Sequence, residues 1–230
     1  MDDRAVVLHS GGLDSTTALF WARDRFSKVF ALNVVYGQKH DVEVFLSRKL
    51  CDEFDFERIE IDITGLKFLF SSSSLVGNFG IIEDDYPSSG VISTYVPMRN
   101  TLLGVIAGIV CEMKDITNIV FGVHASDSPN YPDTRPEWAS ALEVVLNTGS
   151  KFAFDRKRVV VHTPFVSLAK RDIVLLAKRL GVPFELTWSC YSPRYLGNVV
   201  KPCMECPSCR ARKKAFEEAQ VQDTLGQVEM

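Results

Sequence analysis

Short apolar runs alternate with segments of helical period along most of the chain. Ala5 to Leu8 is an apolar run of the kind that forms a buried strand, and Thr16 to Ala22 opens a helix, so Ser10 to Ser15 form the turn between them. Lys28 to Tyr36 reads as a second buried strand ending in Gly37-Gln38-Lys39-His40, and Val42 to Phe54 follows with helical spacing. Glu57 to Ile63 alternates polar and apolar residues as a third strand, Ile116 to Val123 gives a fourth, and Val159 to Pro164 a fifth. Between them, Pro97 stops a strand and Asn100 is placed to cap a helix over Thr101 to Cys111. Trp138 to Thr148 is an amphipathic helix, Ser167 to Leu180 a helix opened by a serine cap and closed by Gly181, and Ala215 to Val221 a last helix. Strand alternating with helix predicts an α/β fold: a doubly wound, mainly parallel sheet with helices on both faces and right-handed crossovers. Ligands of such sheets sit beyond the carboxyl ends of the strands, where Ser10 to Ser15 and Tyr36 to His40 both fall.

Regularity fades from Thr64 to Thr94, which reads either as a flap over that site or as exposed linker. Ser126 to Arg135 is a polar loop stiffened by Pro129 and Pro132, which present Asp127, Tyr131 and Asp133 in a defined arrangement. With 230 residues, 46% of them hydrophobic, the chain can bury a full core as one domain over residues 1–186 with a small appendage over 187–230. A net charge of -3 argues against direct gripping of nucleic-acid backbone. The apolar run at Thr101 to Cys111 is too short for a bilayer, and Met1-Asp2-Asp3-Arg4 does not open a signal peptide, so a cytoplasmic location with no membrane partner is expected.

The Ser10 to Ser15 turn is built for phosphate. Gly11 and Gly12 let the backbone approach a ligand with its N–H groups inward, Ser10, Ser15 and Thr16 add hydroxyls, and the following helix N-terminus favours an anion. Asp14 would repel a polyphosphate unless a cation such as Mg²⁺ stood between them. Neither G-x-x-x-x-G-K-S/T nor G-x-G-x-x-G is present. Lys170, in the first turn of its helix where the dipole disfavours a cation, either reaches for phosphate or is simply solvated. Arg210, Arg212, Lys213 and Lys214 are read equally as a solvated helix start or as a basic patch drawing anions to the cleft.

Cys190, twelve residues and then Cys203-x-x-Cys206-x-x-Cys209 match a closed tetrahedral zinc site. An iron–sulfur cluster remains open on ligand type, and a redox pair is the weaker third reading. Cys51 and Cys111 lie on apolar helical faces as core residues. Metal loss is expected to unfold the C-terminal segment before it abolishes any chemistry.

Ser10-Gly11-Gly12-Leu13-Asp14-Ser15 resembles the pyrophosphate loop of the N-type ATP pyrophosphatases. The chain from Val6 to Phe216 is similar to the 7-cyano-7-deazaguanine synthases in that loop, in Tyr36-Gly37-Gln38-Lys39-His40 and in Thr94-Tyr95-Val96-Pro97-Met98-Arg99-Asn100. Tyr131-Pro132-Asp133-Thr134-Arg135, Thr187-Trp188-Ser189-Cys190-Tyr191 and the clustered cysteines continue the likeness. Met98 and Met204 depart from it, standing where glycine is usual, and Met98 is expected to narrow the pocket. The resemblance implies an adenine nucleotide alpha hydrolase-like fold and a homodimer. It implies an ATP-dependent ligase that turns 7-carboxy-7-deazaguanine and ammonia into the nitrile preQ0, through an adenylated carboxylate and then an adenylated amide, for queuosine or archaeosine. It places ATP on Leu8, His9, Ser10, Gly11, Gly12, Leu13, Asp14, Ser15 and Thr16, with Mg²⁺ on Asp14 and Lys170 and Arg99 at the α-phosphorus. It places the deazapurine against Gln38, His40, Asp127, Tyr131 and Asp133. A tRNA-modifying, thiolase-like relative and a non-catalytic ATP-binding zinc module are the competing readings.

Overall fold

A computed structural model describes residues 3–38, 41–76 and 90–230. Five strands, β1 (Arg4–Leu8), β2 (Lys28–Val35), β3 (Glu57–Asp62), β4 (Asn118–Val120) and β5 (Val160–His162), form one parallel sheet in the order β3-β2-β1-β4-β5. The expected α/β architecture is therefore present. Strand alternation explains its two cores: Ala5 and Val7 of β1 and Val29 and Ala31 of β2 point to one face, while Val6, Leu8, Phe30, Leu32 and Val34 point to the other. The first face is covered by α1 (Leu13–Arg23) and α2 (Asp41–Glu53), the second by α3 (Arg99–Lys114), α4 (Pro136–Gly149) and the short α5 (Phe152–Asp155). α6 (Lys170–Leu180) and α7 (Pro207–Ala219) complete the first face.

The chain leaves β1 on one side for β2 and on the other for β4, so the topological switch lies beside β1. Close packing fixes the phosphate loop there. Gly122, just past β4, would place a Cβ 2.8 Å from the Asp14 carbonyl oxygen, so only a residue without a side chain lets that strand end meet the start of α1.

Four expectations need correction. Asn100 is not the cap of α3, which begins one residue earlier behind Met98 in the left-handed region at φ 52. α6 begins at Lys170 behind Ala169, so Ser167 caps nothing. Met98 is 61% exposed and does not line the cavity described below. Its departure from glycine acts on the backbone instead, as does that of Met204 at φ 66. Left-handed backbone costs a residue with a Cβ about 1–2 kcal/mol, part of which glycine's looser unfolded chain gives back. Met98→Gly and Met204→Gly are each expected to raise the melting temperature by about 1–2 °C in thermal denaturation. Finally, Arg212 is no part of a free basic patch: it is 3% exposed, gripped by Asp223 at 2.7 and 2.8 Å, and bonded to the Phe184 and Thr187 carbonyls. Lys213 and Lys214 pair with Glu217 and Glu218 along their own helix.

The C-terminal segment adds a small antiparallel sheet, β6 (Arg194–Leu196), β7 (Val199–Lys201) and β8 (Val228–Glu229), whose two- and three-residue strands carry no readable period. Val200, Phe216 and the four clustered cysteines belong to the same core as Leu13 and Phe20, so this segment and α1 share one hydrophobic cluster. None of the described helices is long and apolar enough to cross a membrane. Of the irregular segment Thr64 to Thr94, residues 77–89 lie outside the described residues, and Thr64–Phe70 forms a 3₁₀ helix.

Candidate active site

The phosphate loop is shaped from within and from beneath. Ser10 and Ser15 hydroxyls lie 3.1 Å apart, the Gly12 N–H donates to Ser10 Oγ at 3.1 Å, and Ser15 Oγ donates to the Gly12 carbonyl at 3.1 Å. Gly11 has φ 97, and a Cβ on it would run into the Glu43 carbonyl, so both conformation and space demand glycine. Below the loop, the buried His9 ring bridges Thr16 Oγ1 at 3.1 Å and Ser47 Oγ at 3.0 Å, while Asn33 donates to its carbonyl at 2.9 Å. Burial pushes the His9 imidazole down to about 3, so it stays neutral and able to accept as well as donate.

Above the loop opens a cavity of about 330 Å³. Leu8, His9, Ser10, Gly12, Leu13, Asp14 and Ser15 line it, whereas Gly11 is turned onto α2 and Thr16 onto His9. Leu32, Val34, Phe121 and Val123 give one apolar wall beside the strand ends, and Trp188, Ser189, Tyr191 and Ser208 close the side facing the C-terminal segment. Lys170, Arg99, Gln38, Asp127 and Tyr131 also line it; His40 lies outside the described residues.

Charge is concentrated at Asp14. Lys170 Nζ donates to Asp14 Oδ2, and His124 Nε2 lies 3.5 Å from the same oxygen, 3.3 Å from Asp127 and 3.4 Å from Lys170 Nζ. Burial alone would raise the Asp14 carboxyl, but Lys170 and His124 outweigh it and hold the group below the usual carboxylate range. Asp14 Oδ1 and His124 Nδ1 are buried without a hydrogen-bond partner among the described residues. An ionised carboxylate with an unused oxygen at the mouth of a phosphate loop fits a hard divalent cation, which takes oxygen ligands. His124 and Glu43 escaped the sequence reading.

Across the cavity, burial works against the Arg99 charge, but the nearness of Tyr36, the hydrogen bond that Arg99 donates to it, and the nearness of Tyr131 and Asp133 raise its pKa further, so it is a fixed cation. Tyr131 is 7% exposed, with its hydroxyl 2.8 Å from Thr94 Oγ1. Asp133 is absent from the cavity lining: its Oδ2 accepts the Asn100 N–H at 2.8 Å, and Asn100 Nδ2 returns a bond to its carbonyl at 2.9 Å. The carboxylate thus caps α3 from outside and carries Arg99 with it. Asp133→Ala is expected to cost about 1–2 kcal/mol of stability, as loss of a helix N-cap does, which urea denaturation checks.

The four cysteines Cys190, Cys203, Cys206 and Cys209 are buried with their Sγ atoms all within 4.8 Å of one another. Backbone N–H groups of Ser192 and Cys203 point at Cys190 Sγ at 3.3 and 3.2 Å, and that of Cys206 at Cys203 Sγ at 3.3 Å. Such donors steady thiolates around a metal, and four sulfurs leave no position open for water, as in structural sites.

The model of the family described as Queuosine biosynthesis protein QueC matches residues 4–220. A protein of Aquifex aeolicus named 7-cyano-7-deazaguanine synthase is 39% identical over 216 residues, covering 93% of this chain and 96% of its own. One of the same name from Myxococcus xanthus is 39% identical over 229 residues, covering 97% and 96%. Among solved structures, a predicted subunit of a tRNA methyltransferase from Methanocaldococcus jannaschii aligns with TM-score 0.50 at 13% identity over 99% of this chain and 96% of that one. A 4-thiouridine synthetase solved with RNA and ATP aligns with TM-score 0.50 at 19% identity, over 94% of this chain and 50% of the other. These two likenesses concern the fold.

Proposed function

The chain belongs to the QueC family of queuosine biosynthesis proteins, and we propose that it makes 7-cyano-7-deazaguanine from 7-carboxy-7-deazaguanine, ammonia and ATP. One observation carries the reading: a phosphate loop at the sheet's switch point faces a cavity that also holds an ionised aspartate, a lysine and a fixed arginine. ATP seats its β and γ phosphates on the N–H groups and hydroxyls of Ser10 to Ser15, and its adenine against Leu32, Val34, Phe121 and Val123. Asp14 holds Mg²⁺, which when bound neutralises phosphate charge. Lys170 and Arg99 then face the α-phosphorus. The substrate carboxylate attacks that phosphorus and pyrophosphate leaves; ammonia attacks the activated carbon and AMP leaves, giving an amide. The amide oxygen attacks a second ATP in the same way, and loss of AMP and protons gives the nitrile. Tyr131 stacks on the deazapurine, and Gln38, His40 and Asp127 address its polar edge, while Asp133 positions Arg99 through α3. Zinc is the metal of the four cysteines.

Mass spectrometry of the protein with 7-carboxy-7-deazaguanine, ATP, Mg²⁺ and an ammonium salt tests this. Nitrile with AMP and pyrophosphate is expected. ATP cleavage with the acid untouched, together with turnover of added tRNA, would transfer the site to the thiolase-like reading; binding without cleavage would leave a nucleotide-sensing module.

The protein acts as a homodimer that does not bind nucleic acid directly. Val105, Ile109 and Met113 of α3 stand four residues apart as an exposed apolar stripe, Met113 at 80% exposure, which supports a covered face. Ile109→Glu with Met113→Glu is expected to turn the dimer into monomer in sedimentation equilibrium.

A further inference from the structure

Glu43 is the cavity carboxylate that the reading above leaves unused. It stands where α2 packs on the phosphate loop: a Cβ on Gly12 would lie 3.8 Å from Glu43 Oε1, so the side chain reaches over the loop. Ser47, one helical turn later on the same face, is tied to His9 beneath the loop, which fixes this part of α2. Asp14 is engaged by Lys170 and Asp127 faces His124, but no described residue gives Glu43 a hydrogen bond or an ion pair. A half-buried carboxylate with no hydrogen-bond or ion-pair partner among the described residues is unfavourable for folding, and such groups in clefts mark chemistry.

We propose that Glu43 is the group that accepts the protons released from nitrogen as ammonia becomes the nitrile. The inference rests on the synthase reading. Ammonia's lone pair forms the C–N bond, the C–O bond to AMP breaks with its electron pair on the phosphate oxygen, and one proton leaves nitrogen to give the amide. The amide nitrogen loses its two remaining protons as the oxygen is transferred to a second AMP and the C≡N bond closes. Three protons thus need a base, which passes each to water through the open cavity between steps. Lys170 and Arg99 are cations, and Asp14 is held ionised. Burial raises the Glu43 carboxyl to about 7, with Arg99 opposing and Asp14 reinforcing, which suits a base working near neutrality.

The test is Glu43→Gln, which keeps the shape, with Glu43→Asp beside it. Wild type and variants are assayed for acid-dependent exchange of pyrophosphate into ATP, for nitrile from ammonium chloride, and for hydroxamate from hydroxylamine. Hydroxylamine gives an adduct whose nitrogen sheds its proton far more readily than ammonia's. Glu43→Gln is expected to keep exchange and hydroxamate formation while nitrile formation falls on the order of 10²-fold, with Glu43→Asp recovering part of it. Equal losses in exchange and nitrile formation would move Glu43 to ATP binding, and undiminished nitrile formation would remove it from the chemistry. A wild type without acid-dependent exchange would overturn the synthase reading and the base together.

Discussion

Lys170→Met should lower the rate of acid-dependent pyrophosphate release about 10³-fold, the scale expected when a preorganised charge at a developing anion is removed. The argument starts from an unfavourable placement. Lys170 is the first residue of α6, where the helix dipole repels a cation, and its ammonium instead faces Asp14 and His124 in the cavity. A divalent cation on Asp14 would leave that ammonium free for a phosphate seated on the loop, whose cavity Lys170 lines. Negative charge on the α-phosphoryl group grows only as pyrophosphate departs, so the loss belongs in kcat rather than in the ATP KM. His124 remains beside Asp14 in the variant, and the fold should survive. A rise in KM at constant kcat would make Lys170 a ground-state phosphate contact. Wild-type kcat would reduce it to the counterion of Asp14. Lys170→Arg, charged but forked, should recover only part of the rate.

How much of this was legible depended on how local the cause was. The five sheet strands could be read because β3 alternates polar and apolar residues and the others are mainly apolar runs, nearly unbroken in β1 and β2, which bury both faces. The phosphate loop and the cysteine cluster were legible because their chemistry lies in residue type at fixed spacing. The α3 start was not: its N-terminal cap is Asp133, which meets Asn100 only after the chain has folded, and Asn100 itself offered a plausible local cap. The resemblance placed Asp133 at the substrate; in the structure its carboxylate accepts the Asn100 N–H and is not part of the cavity lining. Met98 and Met204 could be flagged as replacing glycine, but only their positive φ shows that the cost falls on the backbone. His124 and Glu43 carry no motif at all. They matter because β4 and α2 converge on one cavity, and convergence through space leaves no period in the sequence.

The four-cysteine segment and the phosphate loop are joined more tightly than the spacing of the cysteines suggested. Trp188 is fully buried; its N–H donates to the Gly11 carbonyl at 2.9 Å, and it forms an isolated parallel bridge with Gly12. Its indole Nε1 donates to the carbonyl of Cys190 at 2.9 Å. A single residue, Ser189, therefore separates the phosphate loop's backbone support from the first cysteine of the cluster, and Tyr191 and Ser208 of the same segment line the cavity. Removing a ligand should then disturb both together, in place of the expected order in which the C-terminal segment unfolds first. Cys206→Ser is expected to lower the melting temperature by about 10 °C, since structural zinc contributes many kcal/mol and each 1 kcal/mol is worth about 2–4 °C at this size. It should also raise the ATP KM about tenfold as the loop loses its brace, roughly 1.4 kcal/mol of binding. Hydrogen exchange separates the two possibilities. Faster exchange at Trp188, whose N–H is the one bonded to the loop, together with weaker ATP binding, is the expected result. Fast exchange confined to residues beyond Cys190, with ATP binding intact, would mean that the loop stands without the metal and that Trp188 does not transmit its loss.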